Sequence, residues 1–260
     1  MRYLKIFLLH FEHVFENRAQ SLVWFSMSLS NPILQILFWR GTQGIGGWSY
    51  TALTSYYLLI AAAGAFLSSH IEGDVYEYDI KQGELVRYLI RPFPYYWIKL
   101  VEEAPYRILQ GGFAIIVLAC VAVWFGNYLS VPLTPLTLLF GLVSACFAYF
   151  LSFTYKMSLG LLAFWLKDIR GLYSFVEILG IVLTGFILPL SLYPHGLREV
   201  TLALPFAYMI YYPVLIFQGK LGLAEMLQAV GIQSLYLAVF VVIFTVLWKR
   251  GVRQFTAIGQ

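Results

Sequence analysis

Apolar residues along this chain gather into long runs separated by short polar breaks. Six of the runs, at residues 21–39, 50–68, 108–125, 134–155, 172–192 and 227–248, approach the roughly 20 residues a helix needs to cross a hydrocarbon core. They do not alternate polar with apolar residues, as strands of a membrane β-barrel would. The fourth run keeps helical spacing onward through residues 159–165 towards Lys167, which predicts a long or tilted span. Pro32 inside the first predicts a kink, because it removes one backbone donor. A seventh run, residues 202–217, carries Pro205 and Pro213 and is short for a crossing. Ahead of the first span, Leu4, Phe7, Leu8, Phe11, Val14 and Phe15 share one helical face, and Arg2, Lys5, Glu12, His13 and Glu16 the other. That pattern predicts an amphipathic helix lying in the membrane interface over residues 1–20; a polar lead-in to the first span is the plainer alternative.

Composition agrees with this reading. Hydrophobic residues make up 60% of the 260, and charged residues only 12%, about half the usual share in a soluble domain. The expected fold is an all-α membrane protein with a single transmembrane domain spanning residues 1–260. Cys120 and Cys146 both lie inside apolar runs and read as small buried hydrophobes rather than a disulfide. The first apolar cluster, residues 6–9, is too short for a cleavable signal peptide and is followed by His10, Glu12 and His13, so the first span is expected to direct insertion.

Charge sets the orientation. Twelve of the 30 charged residues lie between His70 and Arg107. With six spans, 13 of the 17 Lys and Arg residues fall on one side, leaving Arg40, Arg198 and Lys220 opposite and Lys156 within the fourth span. The positive-inside rule then places both termini and the polar loop, residues 69–107, in the cytoplasm. Residues 189–222 become an external region, with the 202–217 run dipping into the outer leaflet without crossing.

Within the polar loop, Asp74 followed by Glu77 has capping-box spacing, Asp79 lies on the same stretch, and Gly83 stands where a C-terminal stop belongs. A second short helix is expected from Glu84, with Leu85, Tyr88 and Leu89 on one face and Arg91-Pro92 ending it. Exposed acidic and aromatic groups on two short helices suggest a docking surface; a solvated loop without a partner is the other reading. The run Gly83-Glu84-Leu85 with Tyr88-Leu89-Ile90-Arg91-Pro92 is followed by Phe164-Trp165 before Lys167-Asp168-Ile169. Then come Pro189-Leu190-Ser191-Leu192-Tyr193-Pro194, Leu204-Pro205-Phe206, Tyr212-Pro213 and Gly219. This ordered set, spread over essentially the whole chain, resembles a bacterial branch of type-2 ABC export permeases.

The resemblance implies a six-span permease subunit of the bacterial inner membrane that pairs with a second copy or a sister permease and docks separate ATP-binding subunits. Asp74, Glu77, Asp79, Gly83, Glu84, Leu85, Tyr88, Arg91 and Pro92 would form the ATPase-docking loop. Pro189, Pro194, Pro205, Phe206 and Pro213 would belong to an external gate. ATP and Mg would be bound by the partner, and no cofactor by this chain; lipid, but no nucleic acid, is an expected partner. The family's drug, lipid and polysaccharide exporters leave the cargo open, and a hydrophobic or amphipathic one suits the aromatic, charge-poor composition.

Nothing here matches a phosphate-binding loop, since Gly219-Lys220 is followed by Leu221. No catalytic residues are expected: no Ser or Cys nucleophile has a base nearby on its side of the membrane, and the four histidines are scattered. No metal site is expected either; His70 with Glu72 and Asp74 would hold an ion only weakly. An intramembrane lipid-modifying enzyme is the alternative function. Lys156 and Glu177 are the intramembrane charges. Helical rise puts them at depths about 6 Å apart, so they are expected to face one another or a shared watery cavity, or Lys156 snorkels to the interface. The seven Trp residues mostly fall near span ends as interface anchors. Gly111-Gly112, and Gly180 with Gly185, are candidates for close helix packing.

Overall fold

The computed structural model describes residues 2–41, 45–124, 131–132, 134–166 and 168–255. These form helices joined by turns, with no strand among the described residues beyond an isolated bridge between Ile45 and Trp48. The helices are α1 (Arg2–Glu16), α2 (Arg18–Trp39), α3 (Tyr50–Leu67), α4 (Ile71–Asp74), a π-helix (Val75–Lys81), α5 (Val86–Leu89), α6 (Tyr95–Trp124) and α7 (Pro135–Leu161). After a 3₁₀ turn (Leu162–Phe164) come α8 (Arg170–Leu183), a second 3₁₀ turn (Leu190–Leu192), α9 (His195–Leu202), α10 (Pro205–Met209), α11 (Tyr211–Phe217) and α12 (Leu223–Gln254).

Local chemistry starts these helices where the sequence permits. Ser49 caps α3 by accepting from the Ala52 amide at 3.2 Å. Thr134 and Thr137 bond reciprocally at the head of α7, and Pro135 takes the first helical position, where its missing N–H costs nothing. Glu225 reaches back to the Gly222 amide at 2.8 Å to open α12.

Among the described residues, five helical stretches are long and apolar enough to cross a membrane: Arg18–Trp39, Tyr50–Lys81, Tyr95–Trp124, Pro135–Phe164 and Leu223–Gln254. The expected span at residues 172–192 is not one continuous helix. Thr184 Oγ1 bonds back to the Gly180 carbonyl at 2.7 Å, and Gly185 adopts φ +83°, a left-handed conformation that ends α8 after 14 residues. The run at 202–217 is also broken. Pro205 opens α10, Ile210 departs from helical geometry at φ −135°, and Pro213 sits in the first turn of α11, where its ring is tolerated.

The third span also differs from expectation. α6 begins at Tyr95, so residues 95–107 belong to a helix rather than to the polar loop. Their charges had marked them as loop, but Lys99, Glu103 and Arg107 recur every four residues on one inward face and are all buried. The fourth run does continue helically through the 3₁₀ turn to Phe164.

α7 is the central helix, packed against α3, α4, α10, α11 and α12. Phe217 lies against Gly141 near its start, and Phe164 just beyond its end lies against Gly251 of α12. The two long helices therefore run parallel, and the segment between them carries the chain from one end of the bundle back to the other. Each end has its own core. One gathers Val75, Leu85, Tyr88, Tyr95, Ile98, Phe153, Met157 and Leu161. The other gathers Trp48, Tyr56, Tyr57, Leu151, Leu190, Tyr208 and Tyr211. Phe66 lies against Gly111, so that glycine admits α3 against α6; Gly112 and Gly180 have open space beside them. Cys120 and Cys146 are free thiols.

Candidate coupling elbow and cleft

Between α3 and α6 the chain makes an elbow, residues 68–94. The capping box expected at Asp74 and Glu77 does not form. Asp74 has helical angles (φ −65°, ψ −43°) at the end of α4, and the chain widens into the π-helix instead. Gly83 does act as a stop, at φ +80°, and the Leu85 amide bonds back to the Asp79 carbonyl at 2.8 Å. Leu85 and Tyr88 share the inward face of the following turn, as their spacing suggested, but Leu89 points outward.

Of the acidic and aromatic groups expected to be exposed, Asp74 and Tyr78 are exposed and Glu77 and Glu84 partly so, whereas Asp79 and Tyr88 are turned inward. Asp79 is 0% exposed and pairs with Lys99, itself 3% exposed, at 2.6 Å; the Tyr95 hydroxyl donates to the same carboxylate at 2.6 Å. Lys99 also reaches Glu102 at 3.6 Å, and the Tyr88 hydroxyl donates to Glu102 at 3.0 Å. Burial raises the Tyr88 pKa above its ordinary value, so this hydroxyl stays a donor at neutral pH. His10 of α1 stands 3.9 Å from Glu102, and Tyr3 packs on Phe93 with ring centroids 5.2 Å apart. The elbow is thus clamped onto α6 and α1 together.

Its exposed residues include Tyr78, Lys81, Arg87, Leu89, Ile90, Arg91 and Pro92. Ile90 is 79% exposed, an unusual position for a branched aliphatic side chain at a polar turn. Arg87 pairs with Glu84 at 2.9 Å, and Arg91 lies 5.7 Å over the Tyr88 ring. A second tie runs to the α7–α8 turn, where Arg170 meets Glu77 at 3.2 Å and the Tyr76 hydroxyl donates to Asp168 at 3.2 Å. The Arg170 amide holds the exposed Asp168 carboxyl below its usual range.

Above the elbow opens a cleft of about 1480 Å³ with walls from α1, α2, α3, α6, α7 and α8. Asp74, Tyr78, Arg87 and Arg91 lie at its elbow end, whereas Phe186, Phe206, Met209 and Ile210 form an apolar end. Glu103 knits its floor: it accepts from Ser69 Oγ at 3.0 Å, from the His70 amide at 3.1 Å and from Arg107 at 3.1 Å. Lys156 and Glu177 both line the cleft, but the ion-pair partner of Lys156 is Glu72, not Glu177. Gly160 brings α7 close enough to α4 for this pairing, since an added Cβ would meet Val75 at 2.8 Å. Glu72, Lys99, Glu103, Arg107 and His10 were not anticipated as site residues. The four-residue recurrence in α6 was the available signal for three of them.

At the far end the chain is held by neutral groups. The Tyr56 hydroxyl donates to the Gly185 carbonyl at 2.8 Å, and Tyr57 to the Ile187 carbonyl at 3.0 Å. Trp48 Nε1 donates to Ser191 Oγ at 3.0 Å. Lys220 rests over the Trp48 ring, 2.8 Å from its centroid, and burial lowers its pKa to about 8. Pro189 precedes the second 3₁₀ turn, Pro194 precedes α9, Pro205 opens α10 and Pro213 is buried in α11. Phe206 lines the cleft and meets Tyr155 edge-on with centroids 5.5 Å apart. No set of three or more His, Cys, Asp and Glu among the described residues is placed to hold a metal ion.

In comparison with known proteins, a family model described as ABC-2 family transporter protein matches residues 25–259. No curated protein and no solved structure matches.

Proposed function

This chain belongs to the ABC-2 transporter protein family, and on that premise we propose that it is the permease subunit of an ATP-driven exporter, energised by a separate ATP-binding subunit. Membership makes it a multi-pass membrane component of a transporter and favours that reading over a lipid-modifying enzyme. The observation that carries the proposal is the elbow, whose tip is exposed while its base is bonded to α6 by a buried charge pair and packed on α1 through Phe93. Such a piece moves as one body with α6 and α1 when pushed.

In this reading the ATPase binds around Glu84, Arg87, Ile90 and Arg91 on the cytoplasmic side, where both termini also lie. Gly83 and Pro92 shape the turn, Leu85 and Tyr88 anchor it, and Asp74, Glu77 and Asp79 tie it to its neighbours. Closure of the ATPase pair displaces the elbow, and Asp79–Lys99 and His10–Glu102 pass the motion to the spans. α8 together with the broken segment after it makes the sixth crossing, the external part re-entering from the outer face. Pro189, Pro194, Pro205, Phe206 and Pro213 belong to the gate through which a hydrophobic or amphipathic cargo leaves by alternating access. A second permease, identical or related, completes the path across a bacterial inner membrane.

Co-purification tests this. An ATP-binding protein is expected to accompany the tagged chain in stoichiometric amount, and the double substitution Ile90→Asp, Arg91→Glu to release it without lowering the unfolding temperature of the spans. Undiminished association of that variant would remove the docking assignment.

A further inference from the structure

Several of the cleft's charges are paired with one another. Arg107 takes Glu103 at 3.1 Å, and Lys99 takes Asp79 at 2.6 Å and Glu102 at 3.6 Å. Elsewhere in the cleft, Glu72 of α4, Lys156 of α7 and Glu177 of α8 set two carboxylates against one ammonium. Lys156 is committed to Glu72, and the second carboxylate oxygen of that 1%-exposed glutamate is buried without a partner. Among the described residues no Lys, Arg or His lies within ion-pair distance of Glu177, whose neighbour is the Tyr173 hydroxyl. Glu177 is seven residues beyond Arg170, about 10 Å further along the helix axis than the elbow's tie to Glu77. A carboxylate at membrane depth without a counter-charge is costly, and such residues mark cargo or ion paths. The rings of Trp24, Tyr155, Tyr173 and Phe206 border the cleft, and aromatic rings attract organic cations; the Lys156 ammonium already lies 5.5 Å over that of Tyr173.

We propose that Glu177, with the rings of Tyr155 and Phe206, binds the positive group of an amphipathic organic cation whose apolar body fills the Met209–Ile210 end of the cleft. The cleft is far larger than an ion, its far wall is apolar, and the only ammonium at this depth among the described residues is already neutralised, which together favour an organic cation over a metal ion or an anion. The proposal rests on the transport reading for the cargo's route, not for the site itself.

The test uses the full chain, purified with its ATP-binding partner, and three probes of similar bulk: tetraphenylphosphonium, neutral triphenylphosphine oxide and tetraphenylborate. Tetraphenylphosphonium is expected to bind saturably, one per permease, and more tightly than the other two. Glu177→Gln should weaken its binding about tenfold or more, whereas Glu177→Asp stays within a few-fold of the parent, and the neutral oxide should be indifferent to both. Unchanged tetraphenylphosphonium affinity in Glu177→Gln, or equal binding of the oxide, would overturn the proposal. So would a Glu177→Gln variant that separates paired permeases, since Glu177 would then face the second subunit. If no ATPase co-purifies, the transport reading fails by itself, because probe binding to this chain alone is still measured.

Discussion

The two ends of this bundle are closed by different chemistry. At the elbow, charged side chains meet charged side chains in a dry environment: Asp79 with Lys99, Glu103 with Arg107, Glu72 with Lys156. At the opposite end, tyrosine hydroxyls and an indole N–H donate to backbone carbonyls and a serine, and among the described residues no ion pair bridges the broken helices to α3. Buried charge pairs resist separation because parting leaves a desolvated charge, whereas a neutral hydrogen bond is exchanged for one to water at little net cost. The elbow therefore resists separation from the helices it joins, whereas the far end can part at lower cost, as the proposed coupling and gating roles require.

Breaking the elbow's pair should show the largest effect. Lys99→Met strands Asp79 and is expected to destabilise the detergent-solubilised protein by about 3–5 kcal/mol in thermal unfolding, and adding Asp79→Leu should recover most of the loss. A single variant as stable as the parent would erase the contrast. At the far end, Gly185→Ala forces a side chain into φ +83° and against the Tyr56 hydroxyl, 2.6 Å from the new Cβ, for an expected loss of about 2 kcal/mol. Tyr56→Phe removes only the donor to the Gly185 carbonyl and should cost about 1 kcal/mol by the same measurement. It should also raise the rate at which a cysteine-reactive probe labels a reporter on the cleft's apolar wall. The smallest effect is expected from Arg170→Ala, because its pair with Glu77 is solvent-screened; the unfolding temperature should not move.

The exposed elbow tip sharpens the comparison further. Ile90 is 79% exposed and Arg91 only covers the outer face of a ring, while Leu85 and Tyr88, a few residues away, are central to the elbow's packing. Both sets stood together in the sequence motif. Only burial separates a residue that shapes the turn from one left free to meet a partner.

Hydrophobic run length and period identified helices long enough to span a membrane and a helix ahead of the first, and the two prolines marked the 202–217 run as short of a crossing, because lipid admits no unpaired backbone and proline cannot continue a helix. Gly83 as a stop was legible for a similar local reason. The start of α6 was not, since its charges resemble a loop until burial shows that Lys99, Glu103 and Arg107 find partners. Nor was the end of α8, where Thr184 and Gly185 end an apolar run that by composition continues. The partner of Lys156 was equally hidden: depth along the helices pointed to Glu177, while the close approach of α4 over Gly160 delivered Glu72. Local propensity and period are written residue by residue, but a charge pair joins residues 84 positions apart. Which carboxylate wins is decided by helix packing that no single segment encodes.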